Sequence, residues 1–223
     1  MIREICATTY SFLKAKLDGH SPNGVFYWDD ADPDELERLV CRLSNTNDPE
    51  RREIRNIISK VNPVSILDIA CGPATELRGY REEGMAIRYL GLDKSEYMLN
   101  KAKERFPNAD FISGDAENLP LADSSFQIVL LKHILEHLKS YRKAIQEALR
   151  VSNDVVIVDF FHKLLPIRWD IPLKSKKGYW NNWYSRERFE ELLDTLPLSG
   201  YSKIETKGTR DQAAEIYVLH KPK

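Results

Sequence analysis
Three carboxylates at the ends of short apolar runs carry the first chemical signal in this chain. Asp68 follows Ile66-Leu67, Asp93 follows Leu90-Gly91-Leu92, and Asp115 follows Phe111-Ile112-Ser113-Gly114. Beyond Asp68 the chain turns through Ile69-Ala70-Cys71-Gly72-Pro73-Ala74-Thr75 into a helical pattern starting at Glu76. Small residues at such a turn let a ligand approach the backbone, and an acid at a strand end can accept both hydroxyls of a ribose. The arrangement suits a nucleoside-bearing cofactor at a sheet edge. It does not suit a pyrophosphate. A dinucleotide site would carry G-x-G-x-x-G after the first strand, whereas here Gly72 is followed directly by Pro73. The Gly-Lys-Ser/Thr ending of a P-loop is also absent.

A second cluster, His133-Ile134-Leu135-Glu136-His137, spells the H-x-x-E-H string of inverted zinc peptidases. Those enzymes need both histidines inside one preformed helix, but here the string leaves the end of an apolar strand. That placement favours other roles. His133 stands where a general base would meet an acceptor, and His137 is a second catalytic candidate. In the bland alternative both only cap or pack.

The elements that must position these residues are legible in the hydrophobic rhythm. Apolar runs at 64–69, 87–92, 110–113, 126–131 and 155–160 alternate with helical patterns at 76–83, 95–106 and 140–151. Near-continuous apolar strands separated by helices imply a parallel sheet covered on both faces. Runs at 202–209 and 213–220 have no helix between them and imply an antiparallel hairpin. Upstream, Ile2, Ile5, Cys6, Tyr10, Leu13 and Leu17 share one helical face. Asp32-Pro33-Asp34-Glu35 and Asp48-Pro49 each start a further helix. The second of these carries Ile54, Ile57, Ile58 and Val61 on its inner face. The expected architecture is α/β and Rossmann-like. It has a mostly parallel seven-stranded sheet, an antiparallel terminal hairpin and helices on both faces. An N-terminal helical cap over 1–61 forms part of the same domain as 62–223.

Bulk properties restrict partners. The 223 residues carry a net charge of −1, which gives no overall electrostatic case for nucleic acid. Three widely spaced cysteines, Cys6, Cys41 and Cys71, read as free thiols of a reducing compartment. With no leader-like segment and no apolar run of membrane length, the expectation is a cytoplasmic monomer or homodimer without a membrane partner.

Taken in order, the motifs resemble those of the class I S-adenosylmethionine-dependent methyltransferases. Leu67 to Thr75 is similar to the family's first motif, Gly91-Leu92-Asp93-Lys94-Ser95 to the second and Ser113 to Pro120 to the third. Ser125 to His133 resembles the fourth strand and the loop beneath the methyl group. Gln127 stands where many relatives carry an acid, and Ala70 and Ala74 where glycine is usual. The resemblance implies S-adenosyl-L-methionine as cofactor and S-adenosyl-L-homocysteine as product. It places Asp68 and Gly72 at the methionine end, Asp93 at the ribose and Asp115 and Ala116 at the adenine, with Ala70, Lys94 and Met98 also among the cofactor-binding residues. Lys132 and His133 then border the methyl group. Some members carry E-x-x-E-H at this loop and bind a divalent ion. Here Glu136 and His137 match, His133 replaces the first glutamate, and His162 lies just past strand five. Hard ions prefer oxygen ligands, so a divalent metal is not expected.

The acceptor side is aromatic. Residues 162–188 hold Trp169, Tyr179, Trp180, Trp183 and Tyr184, with seven basic residues against Asp170 and Glu187. Tyr10, Tyr27 and Trp28 stand ready to close the pocket. One reading is a lid that stacks on a flat acceptor; the other is an apolar anchor with solvated lysines. The expectation is methyl transfer to oxygen or nitrogen of a small molecule. An RNA or protein methyltransferase using the basic segment, and a non-catalytic cofactor-binding protein, are the alternatives.

Overall fold
The computed structural model describes residues 32–174, 180–207 and 213–222. The helical face of Ile2 to Leu17, together with Tyr27, Trp28 and Tyr179, lies outside the described residues. Helices α1 (Pro33–Leu43) and α2 (Pro49–Val61) lead into strand β1 (Ser65–Ile69), α3 (Thr75–Glu82), β2 (Arg88–Asp93), α4 (Glu96–Arg105) and β3 (Asp110–Ser113). Then follow β4 (Phe126–Lys132), a 3-10 turn (Leu135–His137), α5 (Tyr141–Val151), β5 (Ser152–Asp159), α6 (Arg186–Thr195), β6 (Gly200–Lys207) and β7 (Ala213–His220). The strands form one seven-stranded sheet in the order β3-β2-β1-β4-β5-β7-β6. Its first five strands run parallel, and β7 joins β5 and β6 antiparallel.

Period-2 alternation along the strands feeds two cores. On one face Leu67, Ile69, Val129, Leu131, Val156 and Val158 pack with α5 and α6. On the other, Ile66, Ile128, Leu130, Val155 and Ile157 pack with Ile54, Ile57 and Ile58 of α2 and with Ala74, Leu77 and Tyr80 at α3. So α2 is one of the layers that cover the sheet. Local chemistry starts the helices where the sequence indicates. Asp32 accepts from the amides of Asp34 and Glu35, and Ser95 accepts from that of Met98, satisfying first-turn donors.

Two elements depart most from the expectation. Strand β5 begins at Ser152 rather than 155, because helix α5 passes into it with no loop. The Ser152 hydroxyl donates to the carbonyls of Gln127 and Val155 and stitches that junction. Helix α6 is additional. Ser185 caps it by accepting from the Arg188 amide, and Phe189, Leu192 and Leu193 are its buried face. Among the described residues no helix is long and apolar enough to cross a membrane.

Candidate functional site
The strand order reverses about β1, with β2 on one side and β4 on the other. In open α/β sheets the carboxyl edge at such a reversal is where ligands sit. Asp68, Asp93, Lys132 and Asp159 all fall on that edge, in or at the ends of β1, β2, β4 and β5.

The turn after β1 is built from left-handed backbone, with φ of 59° at Ala70, 54° at Gly72 and 57° at Ala74. Alanine at such φ costs about 1–2 kcal/mol per residue, so the two departures from glycine are real conformational strain. The turn is fastened to β2. Cys71 donates its amide to the Leu92 carbonyl at 3.1 Å, and Gly72 donates its amide to Asp93 Oδ2 at 2.8 Å. A Cβ on Gly91 would come within 2.6 Å of Phe111 and 2.8 Å of Cys71 Sγ, so only glycine admits this contact. A Cβ on Gly72, by contrast, would meet nothing within 4 Å, so the turn borders open space.

Each acid is held in place. Asp93 Oδ1 accepts the Ser95 amide at 2.9 Å. The Gly72 and Ser95 amides fix the orientation of the Asp93 carboxylate at the end of β2. Asp68 accepts from the Tyr89 hydroxyl at 2.7 Å, yet burial and the nearby Glu76 push its carboxyl up to about 7. Asp115 accepts the Glu117 amide at 2.9 Å and pairs with Lys94 Nζ at 3.0 Å. Partial burial works against its charge, but these two partners hold it below the ordinary carboxylate range. Ala116 and Met98 are buried beside them.

At the end of β4, Lys132 Nζ lies 2.9 Å from Asp159 Oδ2, 2.9 Å from His133 Nε2 and 3.7 Å from Glu50 Oε1. His133 is left-handed, with φ of 54°, and its amide donates to the Asp159 carbonyl at 2.9 Å. Its ring also approaches Asp159 Oδ2 at 3.2 Å. Burial and the Lys132 charge hold the imidazole below its usual value, against the pull of Asp159. Burial would raise the Asp159 carboxyl, but Lys132 and His133 keep it well below the carboxylate range.

The remaining members of the histidine string go elsewhere. His137 Nδ1 donates to the Trp180 carbonyl at 2.9 Å. Glu136 is buried, accepts the His162 amide at 3.1 Å, and is pushed up to about 7 by that burial. His162 stacks on Trp183 with ring centroids 4.0 Å apart, and its Nε2 donates to Asn181 Oδ1 at 3.1 Å. Burial pushes His162 down to about 4. Among the described residues no group of three or more His, Cys, Asp or Glu is arranged to hold a metal ion.

The aromatic segment divides between the two readings. Trp183 and Tyr184 are buried, and the Tyr184 hydroxyl donates to the Leu135 carbonyl at 2.9 Å, so these two anchor the segment to the sheet. Trp169 is 61% exposed. The positive charge is also smaller than the segment suggests. Arg168 pairs with Glu187, Arg188 lies 3.7 Å from Asp170, and Arg186 meets Glu215 of β7, far along the chain.

Sequence reasoning missed Asp159, Glu50, Arg51 and Tyr89. Asp159 carried the same strand-end signature as the other acids. Glu50 and Arg51 sit in Pro49-Glu50-Arg51-Arg52-Glu53, which reads as a solvated helix start. Instead both are buried, and Arg51 pairs with Glu76 of α3.

This edge, turn and sheet order define a class I methyltransferase fold. The family described as a methyltransferase domain matches residues 67–155, and the chain is similar to S-adenosylmethionine-dependent methyltransferases in sequence and in fold. It is 33% identical over 156 residues to a demethylmenaquinone methyltransferase of Paenarthrobacter aurescens, covering 69% of this chain and 53% of that protein. It is 29% identical over 185 residues to a ubiquinone/menaquinone biosynthesis C-methyltransferase of Campylobacter jejuni, covering 71% and 79%. The chain thus spans about half the length of the first of these relatives. A solved S-adenosylmethionine-dependent methyltransferase from Mesorhizobium loti shares the fold, with a TM-score of 0.62 at 18% identity over 77% of this chain and 97% of that one.

Proposed function
We propose that the chain transfers a methyl group from S-adenosylmethionine to a ring carbon of a hydroxylated, quinol-type small molecule. The observation that carries this reading is the likeness to relatives named for demethylmenaquinone methylation and for C-methylation in ubiquinone and menaquinone biosynthesis. Oxygen or nitrogen, the sequence-based expectation, is displaced by carbon on that ground. The fold's carboxyl edge suits the cofactor. Asp93 ends β2 beside the turn, where its carboxylate would meet the ribose hydroxyls, the Gly72 turn borders open space, and Asp115 and Ala116 lie beyond β3 for the adenine.

When bound, the cofactor supplies an electrophilic methyl group on a sulfonium sulfur. The protein's share is position and proton handling. Alignment of the reacting atoms can supply much of the acceleration. Ring-carbon methylation requires a proton to leave the acceptor, and His133, kept neutral by burial and by Lys132, is the group at the β4 end able to take it. Asp159 orients that imidazole and favours its protonated form. His137 and Glu136 support the acceptor side by fixing Trp180 and His162.

The test is incubation with methyl-labelled cofactor and the reduced, quinol form of a short-chain demethylmenaquinone, followed by fragmentation mass spectrometry. Label on a ring carbon, with turnover lowered at least about 100-fold in His133→Ala, is the expected result. Label on oxygen, or no transfer, overturns the reading.

A further inference from the structure
An aromatic ring stands in water beside His133. Phe160 and Phe161 follow Asp159, the last residue of β5. Phe160 turns into the core, whereas Phe161 is 41% exposed. Exposure by itself carries little, since single apolar side chains are common on protein surfaces. The contacts of Phe161 carry more. Its ring meets the His133 ring with centroids 5.3 Å apart and 79° between the planes. It also meets the His162 ring, at 4.7 Å and 67°.

Those neighbours are themselves held. His162 stacks on Trp183 with only 9° between the planes, and its Nε2 donates to Asn181 Oδ1 at 3.1 Å. Trp183 is buried, and its backbone exchanges two hydrogen bonds with Ile171, at 2.7 and 3.0 Å. Four rings therefore run in sequence from the anchored segment to the β4 end: Trp183, His162, Phe161 and His133. The aromatic segment after β5 thus does more than cover the sheet. It braces a ring whose exposed part borders the group assigned to proton removal, and a side chain locked by its packing is the kind that positions a ligand.

We infer that Phe161 is the surface against which the acceptor ring packs, and that it makes the site selective for a flat aromatic acceptor over a saturated one of the same size. The inference rests on the proposed methyl transfer to a ring carbon at the β4 end. Aromatic pairs favour offset-stacked or edge-to-face arrangements with centroids about 4.5–7 Å apart. An acceptor ring held in this way on Phe161 lies next to the His133 imidazole, because Phe161 already touches it. Phe161 takes no proton. Its part is to select the acceptor and to set the ring against the base.

Titration calorimetry on protein loaded with S-adenosylhomocysteine, without oxygen, tests this with two probes. One is 1,4-naphthalenediol; the other is decahydronaphthalene-1,4-diol, which has the same ring skeleton and hydroxyls but no aromatic face. In Phe161→Leu, which keeps an apolar side chain and removes the ring, the ratio of the two affinities should move against the aromatic diol by about three- to tenfold, the scale of one aromatic pair. In Phe161→Tyr, which restores a ring, it should stay near the wild-type value. The affinity for S-adenosylhomocysteine should be the same in all three proteins, which shows that the fold and the cofactor edge are intact. A merely structural role for Phe161 would weaken both diols alike and leave the ratio unmoved. An unmoved ratio in Phe161→Leu overturns the inference while the methyl-transfer reading stands. If wild-type protein binds S-adenosylhomocysteine but neither diol, the reading of the acceptor fails and the inference falls with it.

Discussion

Asp68 is a carboxyl whose surroundings oppose its charge. Burial and Glu76 push it from the usual 3.8 up to about 7, with the Tyr89 hydroxyl partly offsetting them. Between those two values the folded protein holds a proton that the unfolded chain has already released. Folding stability attributable to this group is therefore lost as the pH rises from about 4 to 7. Asp68→Asn has no such proton, so its melting temperature relative to wild type should climb between pH 5 and pH 8. Scanning calorimetry at four pH values reads the difference, and a flat difference would show that Asp68 ionises normally. Alanine at 70 and 74 was visible in the sequence as a departure from glycine. The cost of that departure was not, because φ at those positions follows from how the turn is fastened to β2 through Cys71 and Gly72.

At the scale of elements, the segment between β5 and α6 shows why residue type alone left two readings open. Its aromatic and basic content fits a lid, but one buried amide decides how it is attached. Asn182 donates from Nδ2 to the Leu138 carbonyl and the Tyr184 hydroxyl, and Oδ1 accepts from the Leu173 amide. Its own backbone amide donates to the Glu136 carbonyl at 2.9 Å. The side chain thus ties three stretches of chain together, where polar groups cannot turn to water. Asn182→Ala leaves those partners unsatisfied, at about 1–3 kcal/mol for each buried orphan. Urea unfolding should show a loss of about 2–4 kcal/mol, with Trp180 and Trp183 fluorescence shifting at lower denaturant. A loss under about 0.5 kcal/mol would mean that the segment is held by its aromatic packing alone. Helix α6 was signalled by Ser185 ahead of Phe189, Leu192 and Leu193, but the aromatic and cationic run before it is read as a lid or an apolar anchor. The partner of Arg186, Glu215, lies on a different element and no local pattern reveals it.

For the whole molecule, the parallel sheet was legible because β1, β4 and β5 are buried on both faces and so read as apolar runs. The terminal hairpin was legible because no helix fits between its strands. The charges that join the N-terminal layer to the sheet were hidden. Arg51 and Glu76 are 25 residues apart on separate helices, and each looks like a solvated residue in its own window. Together they clamp α2 against the start of α3, where Thr75 also donates its hydroxyl to the Leu43 carbonyl at 2.7 Å. Removing one member of a buried pair strands the other charge, and costs about 3–5 kcal/mol. Replacing both with apolar residues of similar volume removes the desolvation cost as well as the attraction. Arg51→Met alone should therefore lower stability by about 3–5 kcal/mol in urea unfolding, and Glu76→Met alone by a similar amount. The double variant should lie within about 2 kcal/mol of wild type, a strongly non-additive cycle. Additive losses would mean that the two side chains contribute independently and that the docking of α2 relies on Ile54, Ile57 and Ile58. A recovered double variant would show that the two charges act as one coupled pair between α2 and the start of α3.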